Sequence, residues 1–489
     1  MKLEGFKRGF LMALSMVTII TVSASQLYFL NPFASTWDQV DFSLAVIRFD
    51  LMAMQPHFPG YPFFILGGKI LYPFLENPAV ALTMFNILAY ASSLFPIYRL
   101  FRKLLPVHFS WLATAIIFSQ TYIVIMVNQP MSEGAALAVL WWYVWSLTLA
   151  MERHNSSFIL LPLGILSIML GIRLSYLPFA LGILFLFYWK WKNGLLTLKE
   201  AGYYALFGLV FQACWVVALI ISEGSLTGFI KLSLAFTSGH FTDWGGAVET
   251  SEISFLKRCS IFLWDNILWT GIAAKEYIIA VIYLCLFIRI GVSSRPKIEY
   301  EARKPFVNLI YLLFFSYFLW ALLAQNIEKP RHILPLAALL IFYLCFQLFA
   351  KRIPWFITVM AVILLGFQTV KSVELLKAEA AEQPAVYQMN AYIEKMNEPV
   401  ILYTWEETRV LQYLHAPYTH KRINTYQLFQ METKYYQGRT VLLTDKVVKG
   451  FVSQGGSVKG KIKKLKSFKS RELYDPVYNE ITLYKWIDH

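Results

Sequence analysis

The sequence predicts a polytopic α-helical membrane protein of about eleven transmembrane helices, closed by a small C-terminal α/β domain. Three observations predict it. The 489 residues are 57% hydrophobic and only 15% charged, where a soluble chain carries roughly a quarter charged residues. Apolar runs of about 16 to 24 residues recur along most of the chain, long enough to cross a bilayer. The last hundred or so residues then change character, with strand-length apolar runs between short helical stretches.

Taken in order, the spans fall near 9–30, 79–101, 107–127, 133–151, 157–172, 174–189, 201–222, 264–289, 306–325, 332–350 and 354–372. The first follows "MKLEGFKRGF" and has no small-x-small cleavage site, so it reads as an uncleaved helix. Basic residues sort to one side: Lys7 and Arg8, Arg99 with Arg102 and Lys103, Arg153, Lys190 with Lys192, Arg289 through Lys304, and Lys351 with Arg352. By the positive-inside rule that side is cytoplasmic, as is the N-terminus. The short runs on either side of "GIRLSY" read as two crossings, because basic residues flank both outer ends.

This parity puts four segments outside: 31–78, "NQPMSE", 223–263 and the tail. The division is therefore 1–372, a membrane domain, and 373–489, an extracytoplasmic α/β domain. In the tail, "VILYT", "TVLLT" and "ITLYK" read as strands, and 385–396, 406–414 and 445–454 as helices. Glu406 and Glu407 fall at a strand-to-helix turn, where acids suit a helix N-terminus. No glycine-rich phosphate loop is present. The net charge of +14 comes from clusters at span ends, so it points to membrane lipid rather than nucleic acid. The four cysteines form neither a disulfide framework nor a metal spacing.

The segment "DFSLAVIRFDLMAMQPHFPGYPFF" (41–64) concentrates polar and rigid residues beside the first span. A helix over 38–54 aligns Val40, Leu44, Ile47, Leu51 and Met54 in one stripe, with Asp38 nearly opposite and Asp41 a quarter turn away. The prolines of "QPHFPGYP" end the helix, and Pro59-Gly60 reads as a tight turn that holds His57 close to it. The two acids are then either merely solvated at an interface or aimed into a cavity.

These residues resemble the C-type glycosyltransferase superfamily, polytopic enzymes that take sugars from polyprenyl-phosphate carriers and include the protein O-mannosyltransferases and the lipid A aminoarabinose transferase. The likeness rests on "WDQVDFSLA", with Asp38 and Phe42, followed by "HFPGYPFFILGGKI". It continues in "QPMSEGAALAV" (129–139), "GIRLSYLP" (171–178) and "QNIEKPRHILPL" (325–336). The resemblance implies a C-type membrane fold and an inverting sugar transfer with a first-loop acid as base. Asp38 inherits that role, yet Gln39 stands where many members carry a second acid, and this chain places its second at Asp41. Which of the two works is left open. The implied partners are a polyprenyl-phosphate sugar donor and a glycan, wall-polymer or protein acceptor.

Such chemistry needs cations at the departing phosphate. Lys329, Arg331 and His332 sit in an outward loop, where positive charge runs against the orientation rule; snorkelling side chains are the plainer alternative. Arg173, between two short spans, either serves the phosphate or pairs with Glu133. In "SGHFTDWGGAVETSE", His240, Asp243 and Trp244 would shape a substrate pocket, or the stretch is an ordinary loop. Substrate contacts are otherwise expected from His57, Tyr61 and Glu133. His57, His240 and the acids could gather a divalent cation, although no ligand spacing demands one. A transporter or lipid flippase is the competing class; such proteins concentrate charge at mid-membrane rather than at one face.

Overall fold

The computed structural model describes residues 2–244, 246–248, 253–292, 297–350 and 354–487. Among them, eight helices are long and apolar enough to cross a membrane, or ten if each of two bent pairs is one span. The chain is a multi-pass membrane protein. The expected count of eleven is not reached, because 157–172 forms Ser156–Ile172, about 25 Å at 1.5 Å per residue and short of a full crossing. The chain does break where expected: Arg173 is extended (φ −155°) between Leu160–Ile172 and the 3-10 turn Leu174–Ala180.

Helix position follows from which sides are apolar. Glu133–Glu152 and Leu334–Phe349 are hydrophobic all round and lie buried at the centre of the bundle. Leu198–Glu223 is equally apolar, but only Trp215 and Leu219 are buried; its remaining surface is left for lipid. Lys2–Tyr28 packs on Val107–Phe118 and Trp355–Ala381, and Pro78–Ser92 lies between Pro62–Leu75 and Glu133–Glu152.

The expected span 264–289 is not one helix. Phe255–Ile272 and Tyr277–Ile290 meet at 108°, the chain turning through Ala274 and Lys275 in the left-handed region (φ 51° and 60°). A second bend, 58° between Val107–Phe118 and Thr121–Val127, explains why both persist. Gln120 lies at that bend, accepts from Ile123 N (2.6 Å) and donates to the carbonyls of Gly271 (2.5 Å) and Ile272 (3.3 Å). Backbone freed at one break is thus satisfied from the other, as a water-poor interior requires. Nor is 223–263 an open loop: it contains the helices Leu226–Gly239 and Phe255–Ser260, with a π-helical turn His240–Trp244 between them.

The expected helix over 38–54 stops at Ile47. Arg48 is extended, and Asp50 accepts from Ala53 N (3.0 Å) in a side-chain-closed turn that competes with helix. Consequently the expected stripe is split, with Val40 and Leu51 buried but Ile47 and Met54 exposed.

Trp355–Ala381 runs past the expected boundary at 372 and delivers the chain to Ala385–Ile393 and a five-stranded sheet. The strands are β1 Val400–Thr404, β2 Thr419–Arg422, β3 Thr440–Thr444, β4 Ile462–Lys469 and β5 Glu480–Trp486. Their order is β2-β1-β3-β5-β4, with β1 parallel to β2 and β3, and β5 antiparallel to β3 and β4. The two edge strands, "THKR" and "IKKLKSFK", were not expected from sequence. Their lysines and arginines guard open edges and hide the strand pattern. The sheet does not stand apart: Val40 shares a buried cluster with Leu402, Val410 and Leu411, whereas Phe42, Ala45 and Val46 belong to the membrane core.

Close helix contact at Gly67 is testable. A Cβ there would lie 2.4 Å from the Phe85 ring, whereas one at Gly366 meets nothing within 4 Å. Gly67→Ala should destabilise by about 1–3 kcal/mol, and Gly366→Ala should be neutral or stabilise by up to about 1 kcal/mol. Thermal unfolding in detergent compares the two.

Candidate active site

Helix Trp37–Ile47 is the platform. Thr36 caps it by accepting from Gln39 N (3.3 Å), which places Asp38 in the first turn, a favourable end for an acid. Asp41 follows three residues later on a different azimuth, so the two carboxylates face different partners.

Around Asp38 lies a chain of alternating charges. Its Oδ2 accepts from Arg331 Nη2 at 2.5 Å, across 293 residues of sequence. Arg331 Nε is 2.9 Å from Glu133 Oε1, and Arg173 Nη2 is 3.2 Å from the same oxygen. Arg173 also donates to Ser132 Oγ (2.9 Å) and to His332 Nδ1 (3.0 Å), while Tyr317 holds the His332 carbonyl (2.9 Å). Glu133 is enclosed between the two arginines with a side-chain exposure of 1%, the arrangement that the alternative of an Arg173–Glu133 pair describes. Two atoms in this buried group, Glu133 Oε2 and Arg173 Nε, have neither a hydrogen bond nor an ion-pair contact among the described residues.

Each member stands at an interruption of regular structure fixed from elsewhere. Asn86 donates to the carbonyls of Gln129 and Met131 (both 2.7 Å) and accepts from Ala135 N (2.9 Å), pinning the turn before Glu133. Arg258 donates to the carbonyls of Leu322 (2.7 Å) and Gln325 (2.6 Å), and Asn266 to that of Ile327 (2.7 Å). These bonds fix the loop that ends in the 3-10 turn Pro330–Ile333, where Arg331 and His332 lie.

Asp41 forms the second group. Fully enclosed, it contacts His57 Nδ1 (3.1 Å) and accepts from Arg409 Nε (2.8 Å). His57 Nε2 meets the Tyr61 hydroxyl (3.1 Å), and its ring stacks on Phe236. The expected tight turn is present: Gly60 N donates to His57 O (3.0 Å). Gly60 has φ +90°, and a Cβ there would come 2.9 Å from Leu219, so glycine is required. Tyr61 is itself left-handed (φ 46°), a strained conformation for such a residue that the packing around it must hold.

The two groups adjoin through Tyr61, whose buried hydroxyl lies in the field of Arg173, Asp38, Glu133 and Arg331. Burial alone would raise the Asp38 carboxyl, but Lys329 and Arg331 outweigh it and hold it well below the usual carboxylate range. Asp41 goes the other way: burial raises it, only partly offset by the His57 and Arg409 contacts.

The structure therefore gathers Asp38, Asp41, His57, Tyr61, Glu133, Arg173, Arg331 and His332. Lys329 lies beside them, its charge felt at Asp38, with no ion pair among the described residues. His240 Nε2 bonds to the Ala324 carbonyl (2.9 Å). The side chains of Asp243 and Trp244 lie outside the described residues. No three His, Cys, Asp or Glu side chains converge as a metal cluster among the described residues. Sequence reasoning missed Arg409, whose Nη2 also binds the carbonyls of Ala53 (3.2 Å) and Met54 (3.0 Å). In "ETRVLQYL" it looks like any helical arginine.

These opposite shifts predict pH dependence. Asp38, depressed on folding, contributes stability that is complete above its ordinary value of 3.8 and is lost as pH falls toward its folded value. Asp41, raised on folding, contributes below its ordinary value and loses that contribution as pH rises through its folded one. The melting-temperature deficit of Asp38→Asn should therefore be flat from neutral pH to about pH 4 and shrink below it, as read by thermal unfolding across pH 3–7.

No protein-family model matches the chain, and no curated protein sequence matches it either. Solved structures do. ArnT from Cupriavidus metallidurans bound to undecaprenyl phosphate superposes with a TM-score of 0.54 and 11% identity, covering 98% of each chain. The apo state of that protein gives 0.55 and 11%, over 97% of this chain and 98% of the other. The chain is thus similar to ArnT in fold along almost its whole length.

Proposed function

We propose that this protein is a membrane glycosyltransferase, moving a sugar from a polyprenyl-phosphate-linked donor to an extracytoplasmic acceptor. The meeting of Asp38 with Arg331, one carboxylate away from Arg173, carries the reading. The motif resemblance and the fold shared with ArnT, a protein solved with undecaprenyl phosphate bound, support it. The N-terminus is cytoplasmic in this reading and the C-terminal sheet extracytoplasmic.

Charge fits the donor. Arg173 and Arg331 are held by Glu133 and Asp38, while Lys329 has no ion pair among the described residues although Asp38 and Asp475 lie in its field. A polyprenyl-phosphate sugar is a monoanionic phosphodiester, which Lys329 can meet without first giving up an ion pair. The Nε of Arg173, without a partner among the described residues, offers it a hydrogen bond. Transfer proceeds by attack of an acceptor hydroxyl oxygen on the anomeric carbon. The bond from that carbon to the phosphate oxygen breaks, its electron pair leaves with the phosphate, and the hydroxyl proton passes to a carboxylate. One displacement inverts the anomeric centre.

Asp38 is the carboxylate placed to take the proton, because its side chain is 26% exposed while that of Asp41 is 0% exposed. In the resting structure it serves as counter-ion to Arg331 and is a weak base. A donor phosphate drawing on Arg331 and Lys329 would release it, tying base strength to donor binding. Asp41 is a positioning residue that holds His57 and, through it, Tyr61.

Asp38→Asn should lower kcat by about 10²–10⁴-fold with synthetic undecaprenyl-phosphate hexose in nanodiscs, and Asp41→Asn by less. Full activity in both variants would sink the site. Vesicle uptake of the donor without any glycosyl product would favour a flippase instead.

A further inference from the structure

We propose that a second cleft, between the end of helix Trp355–Ala381 and the segment 470–478 that joins β4 to β5, is the subsite for a hydroxyl-rich acceptor carbohydrate. The proposal rests on the glycosyltransferase reading and adds a substrate class and location to it. Gln39, Gln129, Glu379, Tyr474, Asp475 and Tyr478 are among the residues that line the cleft.

Among its buried side-chain atoms, two oxygens stand without a partner among the described residues. Gln39 Nε2 donates to Gln129 Oε1 (3.3 Å), and Gln129 Nε2 to the Tyr474 carbonyl (3.1 Å). Glu379 Oε1 accepts from Asn31 (3.3 Å) and Asp475 Oδ1 from Val477 N (3.2 Å). The remaining oxygens, Glu379 Oε2 and Asp475 Oδ2, are buried without a partner among the described residues, although Glu379 is only 4% exposed. Leaving such atoms unmatched is costly. A carboxyl oxygen accepts and, when protonated, also donates, so a ligand for both is one whose groups can donate and accept.

That requirement selects the ligand class. Arg471, the cation lining the cleft, is already paired with Glu382 (3.1 Å), so phosphate and other anions find no free charge there. A divalent cation would need further acidic or histidine ligands, and no cluster of three forms among the described residues. A polyol fits: its hydroxyls donate to the two carboxylate oxygens, and a sugar ring lies against aromatic faces. Tyr474 is held by its hydroxyl on the Leu375 carbonyl (2.7 Å), and Tyr478 by Lys446 lying 3.8 Å from its ring centroid. The cavity, about 40 Å³, has room for hydroxyls rather than a whole ring, so the ring stays at the mouth beside the tyrosines.

The cleft also adjoins the proposed reaction centre. Gln39 follows Asp38 directly, and Asp475 lies in the field of Arg331 and Lys329. A saccharide seated there presents a further hydroxyl toward Asp38.

Saturation-transfer NMR on the full chain in nanodiscs, with methyl α-D-glucopyranoside and methyl α-D-mannopyranoside as probes, reads binding without turnover. Signal from at least one glycoside is expected in the wild type and in Asp38→Asn. It should fall about tenfold in Glu379→Gln/Asp475→Asn and in Tyr478→Ala, each checked for an unchanged melting temperature. No signal in the wild type, or equal signal in the variants, overturns the proposal. Glycoside binding that persists while no polyprenyl-phosphate sugar is ever consumed would instead reject the enzymatic reading and leave the cleft as a carbohydrate site.

Discussion

A charged helix is buried between two hydrophobic cores, and much of the structure answers that constraint. Trp37–Ile47 turns Phe42, Ala45 and Val46 into the membrane bundle and Val40 into the core under the C-terminal sheet. Neither side leaves room for water around Asp41, which has no exposed surface. Removing a carboxylate from water costs several kcal/mol unless its lone pairs are matched. The match comes from His57, sixteen residues on, and Arg409, 368 residues on. Arg409 belongs to the helix that follows β1, so neutralising one buried acid fastens the sheet to the first loop. The same guanidinium binds the carbonyls of Ala53 and Met54, where the expected helix has given way to a turn.

A related constraint acts on the backbone. Glu133, Arg173 and Arg331 all sit where helices start, break or turn, and such places free carbonyls and N–H groups in surroundings with little water. The polar side chains inside these apolar helices serve this need. Gln120 ties one bend to another, Asn86 holds a turn from both sides, and Arg258 receives the carbonyl end of Lys297–Ala324. A bundle of uninterrupted helices would need none of them, and it would also lack the openings in which oppositely charged groups from distant segments can meet. Irregularity and site are one feature, stabilised by a scaffold of amides around it.

This explains what the sequence discloses. Membrane class follows from run length, which is a local property. Asp38, Arg331 and Arg173 are legible because charge in an apolar context, or on the wrong side of a span, has few structural uses. β1, β3 and β5 are legible because their buried faces demand apolar runs, whereas β2 and β4 carry edge charges that read as solvated coil. Arg409 is not legible, since its importance lies in a contact between segments and not in its own neighbourhood. Likewise the 108° bend at 273–276 carries no proline or glycine; the carbonyls it frees at Gly271 and Ile272 are met by Gln120, 151 and 152 residues earlier. The premature end of the first-loop helix has a local cause, Asp50 closing a turn, but helical periodicity through Leu51 and Met54 outweighs it on paper.

The two acids of the platform helix show how one element supplies opposite chemistries. Asp38 and Asp41 are three residues apart, yet their carboxyls shift in opposite directions. Burial pushes on both. The difference is the number of cations and the access of solvent: Asp38 faces Lys329 and Arg331 at an opening, while Asp41 faces one arginine and a histidine in a sealed space. An acid that is ionised, partly open and paired to a cation can exchange that cation for an incoming anion at little cost, because the anion inherits the cation. A sealed acid cannot, since any loss of its partner leaves a bare charge in the core. Of the pair, therefore, only Asp38 can change partners at little cost, and Asp41 must remain fixed for the platform to hold its shape.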